Sequence, residues 1–280
     1  MKFDFVTPFP EMVTSYMGQS LMKRAVENHL IIYDVLNPRE WSTDRHQSID
    51  DKVFGGGEGM VGKVEPFFNG LQAYRNKHQQ ETIRIIHLSP QGGVLTTEKI
   101  KQLSRFERLC FVCSRYSGLD QRILNTSIDE EISLGDYVVA GGELPALIVT
   151  EAVCRFIPGF LGDAGSAAMD SFAIQGLEGP LFTQPRRFQD WEVPEVYLQG
   201  NHKKIEAYRR ITGLLNTLMK RPELDYPWSF QDLHDAHNFL KSAPDSELEV
   251  LGYLKQKIEI MQRIVRLVRQ MNKAEDGDSF

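Results

Sequence analysis

Residues 131–146 read EISLGDYVVAGGELPA, and the helical run Leu147 to Ile157 follows directly. The stretch holds a glycine, a short β-favouring segment (Tyr137, Val138, Val139), the pair Gly141-Gly142, and Glu143 at the start of an amphipathic pattern. It reads as a strand end, a tight loop and a helix start. Glycine lets the backbone turn left-handed and approach a ligand closely, so such a loop presents its own N–H and C=O groups. Alone, the glycine pair is also the mark of an ordinary connection, and the flanking sequence has to separate the two readings.

A chain of 280 residues is long for one domain, so one large and one small unit are expected. Charged residues make up 25% and hydrophobic residues 41%, the balance of a soluble globular protein. No apolar run reaches the length of a membrane span, and Met1-Lys2 followed by Phe3-Asp4-Phe5 lacks the apolar core of a signal peptide. A cytoplasmic protein with no membrane partner is therefore expected, and the low count of three cysteines suits a reducing compartment. The net charge of -6 argues against a protein coated in basic surface but permits a local basic groove.

Working outward from residues 131–146, strands and glycine loops alternate. Lys2 to Thr7 predicts a strand, Glu11 to Glu27 a helix, and Leu30 to Leu36 a second strand. Ser42 to Met60 is polar, then glycine-rich, and reads as a loop: a phosphate cradle, a hinge or a linker. No P-loop or dinucleotide fingerprint is present. Glu65 to Lys77 predicts a helix, and Thr82 to Leu88 a buried strand running into Ser89-Pro90-Gln91-Gly92-Gly93. Thr97 to Phe106 is amphipathic, and Leu109 to Cys113 predicts a strand followed by Ser114-Arg115-Tyr116-Ser117-Gly118. Three glycine loops thus follow three strands, and in an open parallel α/β sheet that edge binds ligands. Cys110 and Cys113 have the spacing of a redox or zinc pair, but residues three apart in a strand face opposite sides, so both are expected to be structural.

FPEM, NPR, DRHQSIDD, FGGGEGMV, LSPQGG, CSRYSGLDQR, EISLGDYVVAGGELPA, RFIPG, DSF, VPEV and GNHKKI occur in order between residue 1 and about residue 225. Together they resemble the bacterial tRNA (guanine-N1) methyltransferase family of the SPOUT superfamily, which methylates the guanosine 3′ of the anticodon, position 37. The resemblance implies an α/β fold: a trefoil-knotted parallel-sheet domain with a small, mainly helical C-terminal domain. It also implies S-adenosylmethionine as methyl donor, magnesium in support of activity, tRNA as substrate, and a homodimer whose sites are shared between chains. Pro90, Gly118, Ser133, Leu134, Gly135, Tyr137, Val139, Gly141 and Gly142 fall in its cofactor-lining segments, and Ser117 and Gly59 on its target-base side. Asp170 matches the general base, and Arg155 the arginine that steadies charge on the guanine oxygen. Such groups suit the chemistry, since N1 must lose a proton as negative charge builds on O6. No cluster with metal-ligand spacing is visible, so no metal-binding residue is assigned.

The expected division is residues 1–160 for the cofactor domain, 161–175 for a flexible linker, 176–245 for a helical tRNA-binding domain, and 246–280 for an added helix and tail. Arg187, His202, Lys203 and Arg209 belong to a basic concentration in the smaller domain that suits phosphate contacts. The chain also departs from the resemblance. Ser114 replaces a glycine, Ser117 a glutamate thought to read the guanine edge, Gln121 a glutamate, and Tyr208 a tryptophan. Leu251, Leu254, Ile258, Met261, Val265 and Val268 form a heptad-like seam in a helix that most of the family lacks. That helix either packs on the second domain, pairs across a dimer, or adds a basic RNA-binding face. Two functions remain: an active tRNA (guanine37-N1)-methyltransferase, or a diverged SPOUT paralogue that binds cofactor and RNA with an altered target or little activity.

Overall fold

The computed structural model describes residues 1–56, 58–162, 170–174 and 176–277. They fall into two compact units, Met1–Ala164 and Gly165–Phe280. The first runs β1 (Lys2–Val6), α1 (Pro10–Met17), α2 (Ser20–Glu27), β2 (Ile32–Leu36), β3 (Asp50–Lys52), β4 (Met60–Gly62), α3 (Val64–Lys77), β5 (Ile83–Val94), α4 (Thr97–Leu103), β6 (Arg108–Val112), α5 (Gln121–Ser127), β7 (Glu130–Ser133) and α6 (Glu143–Cys154). Five strands form one parallel sheet in the order β2-β1-β6-β5-β7.

Alternation along each strand divides the core. Phe3, Phe5, Ile86, Leu109 and Phe111 join one cluster with Met17, Met22, Val149 and Val153 from α1, α2 and α6. Ile85, Cys110 and Val112 face the other way, against Phe67, Leu71 and Tyr74 of α3 and Ile123 of α5. Both faces of the sheet are therefore covered, which is why its strands read as continuous apolar runs. Cys110 and Cys113 lie in different clusters. All three cysteines are free and buried, and burial pushes the Cys154 thiol up to about 12.

Several elements differ from the sequence expectation. The run Glu11 to Glu27 is two helices, because Gly18 closes the first by donating its N–H to the Thr14 carbonyl at 3.0 Å. The glycine-rich loop is the tip of a β3–β4 hairpin. The strand near Tyr137 is β7, which lies earlier, while Tyr137, Val138 and Val139 form an exposed loop beyond Gly135 (φ 145°). The strand predicted to end at Leu88 resumes after a bulge, so that Leu88 and Gly93 both pair with Ile132. Gly92 makes this possible: a Cβ there would lie 2.4 Å from the Glu131 carbonyl carbon.

The second unit runs β8 (Arg187–Phe188), β9 (Trp191–Glu192), α7 (His202–Lys220), α8 (Phe230–Ser242), α9 (Asp245–Val250) and α10 (Lys257–Gly277). Its core joins Leu214, Leu215 and Leu218 of α7 to Leu233, Ala236 and Leu240 of α8 and to Leu248, Leu251, Tyr253, Ile260 and Ile264. The seam read as one helix breaks at Gly252 (φ 82°), and α10 packs on α7 and α8. Tyr208 is buried, crosses Tyr197 and Phe239 edge to face, and donates to Glu247 at 2.6 Å. That hydroxyl contact is one a tryptophan at position 208 cannot make in the same place. The expected flexible linker falls largely on residues 163–169 and 175, which lie outside the described residues.

Candidate functional site

The loops after β6 and β7 and the bulge of β5 meet at the carboxyl edge of the sheet around a cleft of about 260 Å³. Pro90, Gly118, Ser133, Leu134, Gly135, Tyr137, Val139, Gly141 and Gly142 all line it, as does Ser117. The sequence scatters these residues over more than fifty positions, and the strand order β6-β5-β7 sets their loops side by side.

The loops after β6 and β7 also touch in the cleft. Gly142 donates its N–H to the Ser114 carbonyl at 3.1 Å, and Arg115 bridges Gly141. A Cβ on Gly142 would lie 2.8 Å from the Cys113 Cα, so the glycine pair lets two backbones touch. Behind it, Glu143 is fully buried, accepts from the Thr7 hydroxyl at 2.7 Å and pairs with Arg115 at 3.2 Å. The Arg115 guanidinium also covers the Phe9 ring, 4.5 Å from its centroid. The loop is thereby tied to the start of the chain. A wider cleft of about 620 Å³ adjoins it, lined by Arg39, Asp50 and Phe67 and sharing Ser114, Arg115, Tyr116 and Val138–Ala140.

His87 is 3% exposed and lines the first cleft. Its Nδ1 lies 3.0 Å from Glu131 Oε1 and its Nε2 2.8 Å from Ser114 Oγ. Burial lowers its pKa, against the opposing pull of Glu131. Sequence reasoning assigned no site role to His87, Glu131, Arg115 or Glu143. Their one sequence signal is polarity within apolar or glycine-rich runs.

Gly59 and Ser117 come together, since a Cβ on Gly59 would lie 2.8 Å from Ser117 Oγ and Ser117 donates its N–H to the Met60 carbonyl at 2.9 Å. Arg155 ends α6, partly buried. Asp170 lies in the second unit, where its carbonyl accepts from Ala173 at 3.1 Å and Ile174 at 3.3 Å. The turn is pinned by Ser171, which accepts from Glu178 N–H at 3.1 Å, and by Leu177 N–H on Thr217 of α7 at 2.8 Å. His202, Lys203 and Arg209 are exposed on α7, with His202 and Arg209 seven residues apart and so on one face. Arg187 stands apart on the β8–β9 hairpin, 3.8 Å from Asp190. Among the described residues no group of three or more His, Cys, Asp or Glu is placed to hold a metal ion, and no helix is long and apolar enough to cross a membrane.

Fold and site together define an α/β protein whose parallel sheet carries, at its carboxyl edge, a cleft lined by the bulge of β5 and the glycine-bearing loops after β6 and β7. The chain belongs to the tRNA (guanine-1)-methyltransferase TrmD family, whose model matches residues 1–226. It is 45% identical over 224 residues to the tRNA (guanine-N(1)-)-methyltransferase of Desulforamulus reducens, covering 80% of this chain and 88% of that one. The enzyme of the same name from Carboxydothermus hydrogenoformans is 46% identical over 80% of this chain and 87% of its own. That of Staphylococcus carnosus is 42% identical over 243 residues, 86% of this chain and 98% of its own.

Proposed function

We propose that this chain transfers a methyl group from S-adenosylmethionine to N1 of guanosine 37 in tRNA. The observation that carries the reading is the convergence of all nine expected cofactor residues on one cleft. The residues fit that group, because the glycines let the walls of the cleft close on one another: a Cβ on Gly141 would meet Arg115 and Glu143, and one on Gly142 the Cys113 backbone. When bound, S-adenosylmethionine supplies an electrophilic methyl carried on a sulfonium. The loops around Pro90, Gly118 and Ser133–Gly142 hold and orient it; in this reading they form the SPOUT trefoil. Asp170 takes the N1 proton, and Arg155 stabilises the charge that develops on O6. Arg187, His202, Lys203 and Arg209 hold tRNA phosphates.

Each site is completed by a second copy of the chain. Phe9, Met12 and Tyr16 on and before α1, with Leu144 and Ile148 on the adjoining α6, are large exposed apolar side chains at helical spacing. That stripe supports a homodimer interface. Magnesium, which the resemblance implies, enters with the tRNA. The reaction belongs in the cytoplasm, where tRNA is modified.

Ser117 supports a second reading, a diverged paralogue with an altered target. Serine keeps a hydrogen-bonding group but lacks the charge and reach of glutamate. Methyl transfer from radiolabelled cofactor to unmodified tRNA separates the two. The expected result is transfer by the wild type, its loss in Asp170→Asn with cofactor binding intact, and an increase in Ser117→Glu. Absence of transfer by a wild type that binds cofactor would overturn the first reading.

A further inference from the structure

The line Glu131, His87, Ser114, buried at its central histidine, runs from the edge strand β7 through β5 to the loop after β6 and ends in the cleft. A carboxylate offers only acceptors, so the hydrogen between Glu131 and His87 sits on Nδ1. With one hydrogen on the neutral ring, Nε2 is then an acceptor, and the 2.8 Å contact requires Ser114 to donate its hydroxyl hydrogen to it. The hydroxyl has a single hydrogen. Its remaining lone pairs are left for the cleft that Ser114 lines, so the serine faces that cleft as an acceptor.

We propose that Ser114 is a specificity-determining contact for the methyl donor, accepting an N–H from its adenine amine or its ammonium group, with His87 and Glu131 as positioning residues that hold the serine in its accepting orientation. The inference rests on the cofactor reading above and extends it to residues that reading does not use. Burial of His87 at the centre of the line favours it. A hydrogen bond polarised by a second one in a low-dielectric interior is stronger than an isolated bond. A hydroxyl free to rotate would instead present either its hydrogen or its lone pairs and discriminate poorly.

Calorimetric titration of the full chain with S-adenosylhomocysteine and with methylthioadenosine tests this. The first carries both nitrogen groups and the second only the adenine amine. Ser114→Ala should weaken S-adenosylhomocysteine binding by about tenfold, the value of one buried hydrogen bond. His87→Leu should cost a similar factor, and the double variant should cost no more than either single one, because the residues act as one unit. His87→Gln, whose amide can donate to Glu131 and accept from Ser114, should recover part of the loss. A purely structural role for His87 would instead make the loss in the double variant the sum of the two single losses. Equal weakening of both ligands places the contact on the adenine amine; weakening of S-adenosylhomocysteine alone places it on the ammonium. Wild-type affinity in Ser114→Ala for both ligands overturns the proposal while leaving the cofactor reading standing. Failure of the wild type to bind either ligand overturns both.

Discussion

Gly92 and Gly93 are neighbours at the bulge of β5, yet substitution by alanine should separate them sharply. A Cβ on Gly92 would stand 2.4 Å from the Glu131 carbonyl carbon and 2.5 Å from both its oxygen and the Ile132 nitrogen. Ordinary carbon contacts begin near 3.5 Å, so the strands must part by about 1 Å. All three atoms are backbone of β7 and have no rotamer to escape into. Parting them strains the pairs Gly93–Ile132 and Val94–Ser133 and the 2.8 Å bond from Leu95 N–H to the Ser133 carbonyl. Overpacking of this kind costs about 1–3 kcal/mol, and a weakened backbone hydrogen bond adds about 1. Gly92→Ala should therefore lose about 2–4 kcal/mol. Because Ser133 and Gly135 line the cleft, it should also bind S-adenosylhomocysteine at least tenfold more weakly, by about 1.4 kcal/mol or more. A Cβ on Gly93 meets nothing within 4 Å. Gly93→Ala should be neutral or gain up to about 1 kcal/mol by restricting the unfolded chain. Urea denaturation followed by circular dichroism, with calorimetry for binding, measures both. Equal midpoints for the two variants would refute the packing argument.

Two further outcomes follow from buried polar groups. Burial holds His87 below its ordinary pKa of 6.5, so the unfolded chain takes its proton more readily than the folded one. The stability this group contributes is complete above about 6.5 and is lost as pH falls toward the folded value, so the wild-type urea midpoint should drop on acidification more than that of His87→Gln; parallel curves would show that another group controls the drop. In the second unit Tyr253 is fully buried and donates to the Thr212 carbonyl at 2.8 Å. Tyr253→Phe leaves that acceptor without the hydroxyl and should cost about 1–2 kcal/mol of that unit's stability without changing cofactor affinity, read from thermal unfolding and calorimetry; an unchanged melting temperature would count against an anchoring role.

Strands β1, β2, β5 and β6 were legible as short β-rich runs, whereas β3, β4 and β7 to β9 carry no such run where they lie. Leu109 to Cys113 was expected and Arg108–Val112 is found; Glu65 to Lys77 was expected and Val64–Lys77 is found. Local pattern misled where a glycine changed direction inside a run, as at Gly18 and Gly252, or where β-favouring residues served as a loop, as at Tyr137 to Val139. The cofactor loops were legible because glycine clusters follow strands. His87 and Glu143 were not, since a single polar residue shows no period, and its partner lies 27 residues away in one case and 136 in the other.

By itself the sequence determined four of the five strands of the sheet, where glycine opens the backbone, and which family the motif order resembles, since local sterics and side-chain alternation act over a few residues. Only the tertiary structure decided that β6, β5 and β7 lie side by side, that the three loops share one cleft, and that Glu131, His87 and Ser114 form a line. Those arrangements depend on which apolar faces bury each other across the sheet, and burial pairs residues by space, with no trace in local spacing.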